Sequence, residues 1–536
     1  AAKQPPAAPA RPLQVIKIDL ETNSVVVGED EIRELEATLR GSGVDKVAVV
    51  GVMGAFRTGK SFLLDLMLRY MREKALKVAG PQGVQPAGFG EQGAEGAECE
   101  VPEWVLRNGV PDWAVRCGSS LVEGREGPDG IAEGDDGLRG FQWRPGMDKC
   151  TEGVWVWSEA FICKAGDEDV AVLLLDTQGA WDARMTKEQS ATVFGLTTLM
   201  ASRLIYNVSK QIQQDKIDNL LYFTEFAQAA LRAQQGRSVV APASDQRVRP
   251  FQTLEFLVRD WPHYPDKSSV DSARAMMISH LDQYMDPKVS EDTKSIDSLS
   301  DMFDNIDVWC LPHPSLTIER DAWNGSLEVI EPQFWRFVDR YLDKIFGPEA
   351  LQAKTTLGTP LTVNTFTAVL KQFIVAFKDA APQAQTFSEA METSTSLLAR
   401  DSALQKLRKR LEEEAKSSSK ALEPEQFERV AKDAIEEAEA DFRSKALYGS
   451  EEGISKANEA LKVDVKQEVR RFREENERRL EASLSNLTDV SLAAVAAFGV
   501  DKVSDLTCDW WSGFCRDIST DLSFGYTAVA LFVIYS

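Results

Sequence analysis

The chain has 536 residues, of which 43% are hydrophobic and 27% charged, with a formal net charge of −23. Such values describe globular material of roughly two or three domains, and the acidic balance excludes a surface built for nucleic-acid phosphates, which needs basic patches. Three histidines without an H-E-x-x-H pair, no C-x-x-C pair and no G-x-S-x-G elbow exclude the usual zinc and serine-hydrolase sites. Seven scattered cysteines, an odd number, read as reduced thiols facing a cytosol.

In chain order, residues 1–12 are Ala- and Pro-rich and read as a flexible leader. Residues 13–19 and 24–27 alternate like strands about a turn, and 30–39 form a short amphipathic helix. An apolar run at 47–52 then leads into a glycine loop and a helix in which Leu63, Leu66, Met67 and Tyr70 recur at helical spacing. Between strand and helix, Gly54, Gly59, Lys60 and Ser61 complete the pattern G-x-x-x-x-G-K-S. The two glycines let backbone N–H groups close on a polyphosphate, and the helix N-terminus adds its partial positive charge there. Lys60 would reach the β- and γ-phosphates, and Ser61 would ligate Mg²⁺.

From residue 75 to about 140 the periodicity dissolves into acidic and glycine-rich sequence, an insertion that reads as loop with a short helix near 103–106, or as an acidic docking loop. Residues 153–157 and 161–163 read as one hairpin, and 170–175 as a fully buried strand ending in Asp176, Thr177, Gln178 and Gly179. At a strand's carboxyl end beside a phosphate loop, Asp176 would hold Mg²⁺ through water, and the Gly179 N–H would meet the γ-phosphate. Residues 187–231 read as helix broken near Asn207 and Asp215.

The next buried strand, 253–258, ends in Arg259 and Asp260. One carboxylate can accept from both N1–H and the 2-amino group of guanine, a donor pair adenine lacks, so Asp260 suits a guanine reader. A strand at 308–311 runs into a loop carrying Pro312 and His313, placed as a lid over the base, and 332–346 is helical. Alternating strands and helices imply an α/β domain with a mainly parallel sheet flanked by helices and its site at the strand carboxyl ends.

Gly358, Thr359 and Pro360 mark a boundary, beyond which 362–380, 387–417, 424–447 and 450–487 read as helices. Leu404, Leu407 and Leu411 form one apolar stripe; Phe427, Val430, Ala434 and Ile435 form another; Ile454, Leu461, Val465, Val469 and Phe472 a third. These are the seams of an all-α bundle. Apolar stretches at 491–500 and 526–536 are too short to span a bilayer, and the second reads either as the start of a transmembrane helix or as a docked terminal element. Trp510, Trp511 and Phe514 suit a membrane interface.

Assembled, these residues resemble the atlastin branch of the dynamin-like large GTPases with a guanylate-binding-protein-type G domain. The resemblance rests on 54–61, on 176–182, on 190–194, on Arg259-Asp260 in place of N-K-x-D, and on Leu311-Pro312-His313-Pro314. It implies a P-loop GTPase (G) domain at 13–347 with the insertion at 78–139, a linker at 348–365, a helical-bundle middle domain at 366–487 and a juxtamembrane tail at 488–536. It also implies that Gly54, Ala55, Phe56, Arg57, Thr58, Gly59, Lys60, Ser61, Phe62, Gln178, Gly179, Arg259, Asp260, Pro312 and His313 bind nucleotide. Arg57 would be an arginine finger in cis. Thr151 would be the switch threonine that closes on Mg²⁺, although its neighbours Cys150 and Glu152 depart from the atlastin pattern. The activity implied is hydrolysis of GTP to GDP with Mg²⁺, in a homodimer across G and middle domains. A C-terminal region on the endoplasmic-reticulum membrane, with these residues facing the cytosol, would couple hydrolysis to tethering and homotypic fusion. The alternative is a GTP-gated interaction module or a soluble guanylate-binding-protein-like GTPase without fusion activity.

Overall fold

The computed structural model describes residues 10–19, 24–55, 58–80, 101–107, 141, 153–177, 179, 186–214, 216–218, 220, 249–264, 269–285, 299–318, 326–356, 358–377, 384–417, 421–446 and 451–508. Two compact units divide the chain, one of Ala1–Leu398 with Ala446–Ile454 and the other of Ala399–Lys445 with Ser455–Ser536.

The first unit is built on one mixed sheet. Its strands are β1 (Pro12–Asp19), β2 (Ser24–Val27), β3 (Lys46–Gly54), β4 (Lys77–Ala79), β5 (Val154–Trp157), β6 (Ala160–Ala165), β7 (Glu168–Thr177), β8 (Arg203–Ser209), β9 (Phe251–Arg259) and β10 (Phe303–Cys310). They lie in the order β10-β9-β8-β3-β7-β5-β1-β2, with β6 on β7 and β4 on β6. From β10 to β7 every neighbouring pair is parallel; β1, β2, β4, β5 and β6 pair antiparallel. A strand covered on both faces reads as an unbroken apolar run, and β3 is buried from Val47 to Gly54. It lies between β7 on one side and β8 on the other, both later in the chain, so the strand order reverses beside it. Ligands of such sheets bind at that point, outside the strand carboxyl ends.

Two sequence expectations are corrected here. β5 and β6 do not form a hairpin; both pair antiparallel with β7, β5 on its carboxyl half (Val154 opposite Thr177) and β6 on its amino half (Phe161 opposite Val172). A ten-residue β7 is long enough to hold them end to end. Within 187–231, helix α4 (Lys187–Met200) gives way to β8. A short apolar run such as Leu204-Ile205-Tyr206 fits either element by periodicity, and the slot between β3 and β9 decides it.

Helix α1 (Glu29–Gly41) turns Ile32, Leu35 and Leu39 inward, and α2 (Lys60–Lys74) is buried on nearly every side from Phe62 to Met71. The stripe read from sequence covers only one face of α2. Another is closed by α3 (Glu103–Arg107), which lies inside the expected insertion. There the Trp104 ring meets Tyr70 edge-on at 5.7 Å, and its Nε1 donates to Asp339 at 2.7 Å. Burial of α2 leaves Asp65 and Arg69 wholly inside, where they pair at 3.2 Å. The remaining helices of this unit include α5 (Val270–Met285), α6 (Pro332–Phe346) and α7 (Phe366–Ala376). A two-stranded hairpin, β11 (Thr355–Thr356) and β12 (Thr359–Pro360), follows α6 and is tied to β3 by Lys354 N–H to Val47 O, Val47 N–H to Leu361 O and Val363 N–H to Asp45 O.

The second unit is helical, drawn from α8 (Ala384–Ser417), α9 (Pro424–Lys445) and α10 (Glu451–Cys508). Its seams differ in detail from the sequence stripes. Leu407 and Leu411 are buried as expected, but on α9 the buried row is Phe427, Ala431, Ala434, Ala438 and Phe442, while Val430 and Ile435 are only half-buried. Alanines carry little apolar surface on a sequence plot, yet they let helix backbones approach closely, and tertiary packing selects them for the seam. Interhelical pairs flank it: Arg400 with Asp464, Arg408 with Glu468, and Asn476 exchanging two hydrogen bonds with the Leu422 backbone. Among the described residues no helix is long and apolar enough to cross a membrane.

Candidate functional site

The phosphate end is built where β3 runs into α2. Gly54 and Gly59 both have positive φ, 154° and 72°. A Cβ on Gly54 would stand 2.2 Å from Asn207 O, and one on Gly59 2.3 Å from the Arg259 guanidinium, so only glycine lets the loop lie this close to β8 and β9. Gly59 caps α2, whose first residue is Lys60, so the helix N-terminus and its unpaired N–H groups face the loop. The Lys60 side chain is buried, and its Nζ donates to Ala55 O at 3.0 Å, an oxygen that also takes the Thr58 hydroxyl at 2.9 Å. Burial pulls the Lys60 ammonium down to about 8, with Asp176 pulling the other way. Among the described residues the buried ammonium is held by the Ala55 carbonyl, which it is placed to exchange for phosphate oxygens.

Register sets the acidic partner. Val52 on β3 lies opposite Asp176 on β7, so the carboxylate emerges one strand over from the loop. Ser61 Oγ donates to Asp176 Oδ2 at 2.8 Å, and Asp176 is buried. A hydroxyl and a carboxylate are hard oxygen donors, and this pair at the foot of a phosphate loop fits a magnesium ion held by Ser61 directly and Asp176 directly or through water. On the other flank Gly54 lies opposite Asn207 of β8. The Asn207 amide donates to Thr58 O at 2.8 Å and to Thr58 Oγ1 at 3.1 Å. By sequence periodicity Asn207 reads only as a break in a helix. Its signal was there: a polar residue ending a buried run, at the strand end level with the phosphate loop.

The base end lies at the tips of β8, β9 and β10. Arg259 is buried, and its Nη1 donates to Thr58 O at 3.0 Å and Gly59 O at 3.1 Å. Burial lowers its pKa and Asp260 opposes the shift, but a guanidinium keeps its charge. Arg259 is therefore a strut between the two ends of the site. The neighbouring Asp260 takes the left-handed conformation, φ 59°, which turns its carboxylate the other way. That carboxylate is 23% exposed, accepts from Ser209 Oγ at 3.3 Å and lies 3.9 Å from Nε2 of His313, itself 27% exposed. Pro312 is buried beside it. Phe62 stacks on Phe334 in the core, 6.3 Å between ring centres, so its side chain is turned from the loop. Gly179 is buried after β7. Phe56, Arg57, Thr151 and Gln178 lie outside the described residues.

A glycine loop leaving a strand in the parallel part of the sheet, a buried lysine under it and a serine–carboxylate pair at its foot define a P-loop nucleotide-binding domain. The chain belongs to the guanylate-binding-protein family, whose N-terminal domain matches residues 22–355. It is also similar to the atlastins: 27% identical over 465 residues to atlastin-2 of Homo sapiens (86% of this chain, 67% of the relative), 27% over 474 to atlastin-1 of Bos taurus (86% and 72%), and 27% over 449 to atlastin-3 of Homo sapiens (81% and 68%). The G domain of this family hydrolyses GTP, and the chain is a large GTPase of the guanylate-binding-protein family with the atlastins as distant relatives.

Proposed function

We propose that the chain is a magnesium-dependent GTPase that dimerises with nucleotide bound and couples hydrolysis to tethering and homotypic fusion of endoplasmic-reticulum membranes. The observation that carries the nucleotide part is the Ser61–Asp176 pair beside buried Lys60, with Asp260 presented at the far end of the same strand tips. In this reading the backbone of 54–61 wraps the β- and γ-phosphates, Lys60 gives up Ala55 O for phosphate oxygen, and Asp260 accepts from N1–H and the 2-amino group of guanine. Ser61, Asp176 and Thr151 would hold Mg²⁺, which when bound offsets charge on the phosphates. Arg57 would place a guanidinium at the β–γ bridge, where charge develops as the bond to the leaving diphosphate breaks.

What supports the membrane part is that similarity to the atlastins extends over 86% of the chain, more than the G domain alone occupies.

Phosphate release from GTP and from ATP at several protein concentrations, with light scattering and lipid mixing followed on vesicles carrying the protein, tests both parts. GTP-selective turnover that rises with protein concentration, with lipid mixing, is expected. Turnover at background with tight GTP binding retained would replace this reading with a GTP-gated interaction module, and turnover without vesicle association would reduce it to a soluble GTPase.

A further inference from the structure

Asp260 owes its position to three loops rather than to one. Its own peptide is left-handed, and so is Lys210 across from it at φ 65°. For non-glycine residues both are uncommon conformations that persist only when neighbours hold them. The three amides that follow β8 are each tied to a different partner: Lys210 N–H to Arg259 O at 2.6 Å, Gln211 N–H to Ser209 O at 2.8 Å, and Ile212 N–H to Nε2 of His280 at 3.1 Å. On the far side of Asp260, Trp261 N–H donates to Leu311 O at 2.9 Å, joining the loop that carries His313.

The His280 side chain touches two of the loops. It sits on α5 in the buried row Ala273, Met277, His280 and Leu281, where an apolar residue would serve packing alone. Its ring meets Trp261 edge-on at 4.4 Å while its Nε2 accepts the Ile212 amide. That acceptance requires an unprotonated Nε2, so Nδ1 carries the proton. Burial first and His263 second keep the pKa below the usual histidine value, which favours the accepting form at neutral pH.

We propose that His280 is a positioning residue for base selectivity: it ties the loop after β8 to Trp261 and so fixes the Asp260 carboxylate without touching the nucleotide. The proposal rests on the reading of Asp260 as the guanine acceptor. Ile212 is fully buried, so removing its acceptor leaves an unpaired amide that the segment must relax to satisfy. Ser209, whose hydroxyl bonds Asp260, moves with it.

The test compares GTP with ITP, which keeps N1–H but lacks the 2-amino group, by kcat/KM on the whole chain. Wild type is expected to prefer GTP by about tenfold or more, the worth of one well-placed hydrogen bond. His280→Phe keeps an aromatic edge on Trp261 and loses the acceptor; its preference is expected to drop to within about threefold, with the loss in KM for GTP rather than in kcat. His280→Gln can present an acceptor near the same point and is expected to keep the wild-type ratio. His280→Leu replaces the Phe variant if the larger ring prevents folding by circular dichroism. A folded acceptor-less variant with the wild-type ratio, or a Gln variant that loses selectivity as Phe does, overturns the proposal. Asp260→Asn separates the two layers: an amide can donate to the 2-oxo group of xanthine, so a switch from GTP to XTP upholds Asp260 as the base reader even where His280 fails. No switch removes the base reading itself.

Discussion

The two ends of the nucleotide site are held in opposite ways. At the phosphate end Lys60, Asp176 and Asn207 are each no more than 7% exposed, and the loop is fixed by backbone geometry and by struts from β8 and β9. At the base end Asp260 and His313 are about a quarter exposed and depend on left-handed backbone at two loop tips. A buried, strand-anchored site delivers fixed electrostatics to a charge that every nucleoside triphosphate shares. A partly exposed carboxylate on a held loop is, in the proposed reading, the group that discriminates among bases. In the function proposed here, grip and turnover reside in one end and selectivity in the other, joined by Arg259.

The largest effects should fall on the phosphate end. Lys60→Ala is expected to weaken binding of GTP and ATP alike by on the order of 10³-fold or more, read by fluorescent-nucleotide titration. Arg57→Ala should leave that titration within a few-fold and cut single-turnover hydrolysis by on the order of 10³-fold; equal loss of binding in both variants would make Arg57 structural. Asp260→Asn should do the reverse, leaving triphosphate affinity summed over bases much the same while shifting the GTP-to-XTP preference by on the order of 10²-fold.

Proton linkage gives a smaller signature with a definite sign. Polyphosphate binds protonated Lys60, whose free-state pKa is brought down to about 8 by burial. Affinity should be full below pH 8 and fall about tenfold per unit above it, a proton being taken up on binding there; isothermal titration in buffers of different ionisation heat measures that uptake. A flat profile from pH 8 to 9.5 would show that Lys60 is not the cation desolvated in the free site. The smallest effect expected is for Asn207→Ala. Arg259 still donates to Thr58 O, so the loss should be about five- to tenfold in affinity for every nucleotide, with selectivity among bases intact.

Much of this was legible before any coordinates. The phosphate loop reads directly because its chemistry is local: glycines that permit close backbone approach, a lysine and a serine at fixed offsets, and a helix that starts there. Asp176 and Asp260 were legible because each ends a buried strand. Illegible were the groups whose role depends on a neighbouring strand. Asn207 was lost with β8, since an apolar run as short as Leu204-Ile205-Tyr206 does not declare itself strand or helix. Trp104 lies in the short helix expected near 103–106, but its packing was not legible, because its partners Tyr70 and Asp339 are far along the chain.

By itself, the sequence determined most strands and helices of the nucleotide domain, though not β8, as well as the phosphate loop and the helices α7 to α10 that follow. Each of these follows from contacts or periodicities within a few residues. Tertiary structure alone decided that β5 and β6 share β7 instead of pairing with each other, that alanines make the seam of α9, that Arg259 braces the phosphate loop, and that His280 reaches the amide of Ile212. Those outcomes depend on which distant backbone lies alongside, and a linear pattern carries no information about a partner 50 to 200 residues away until the sheet has closed.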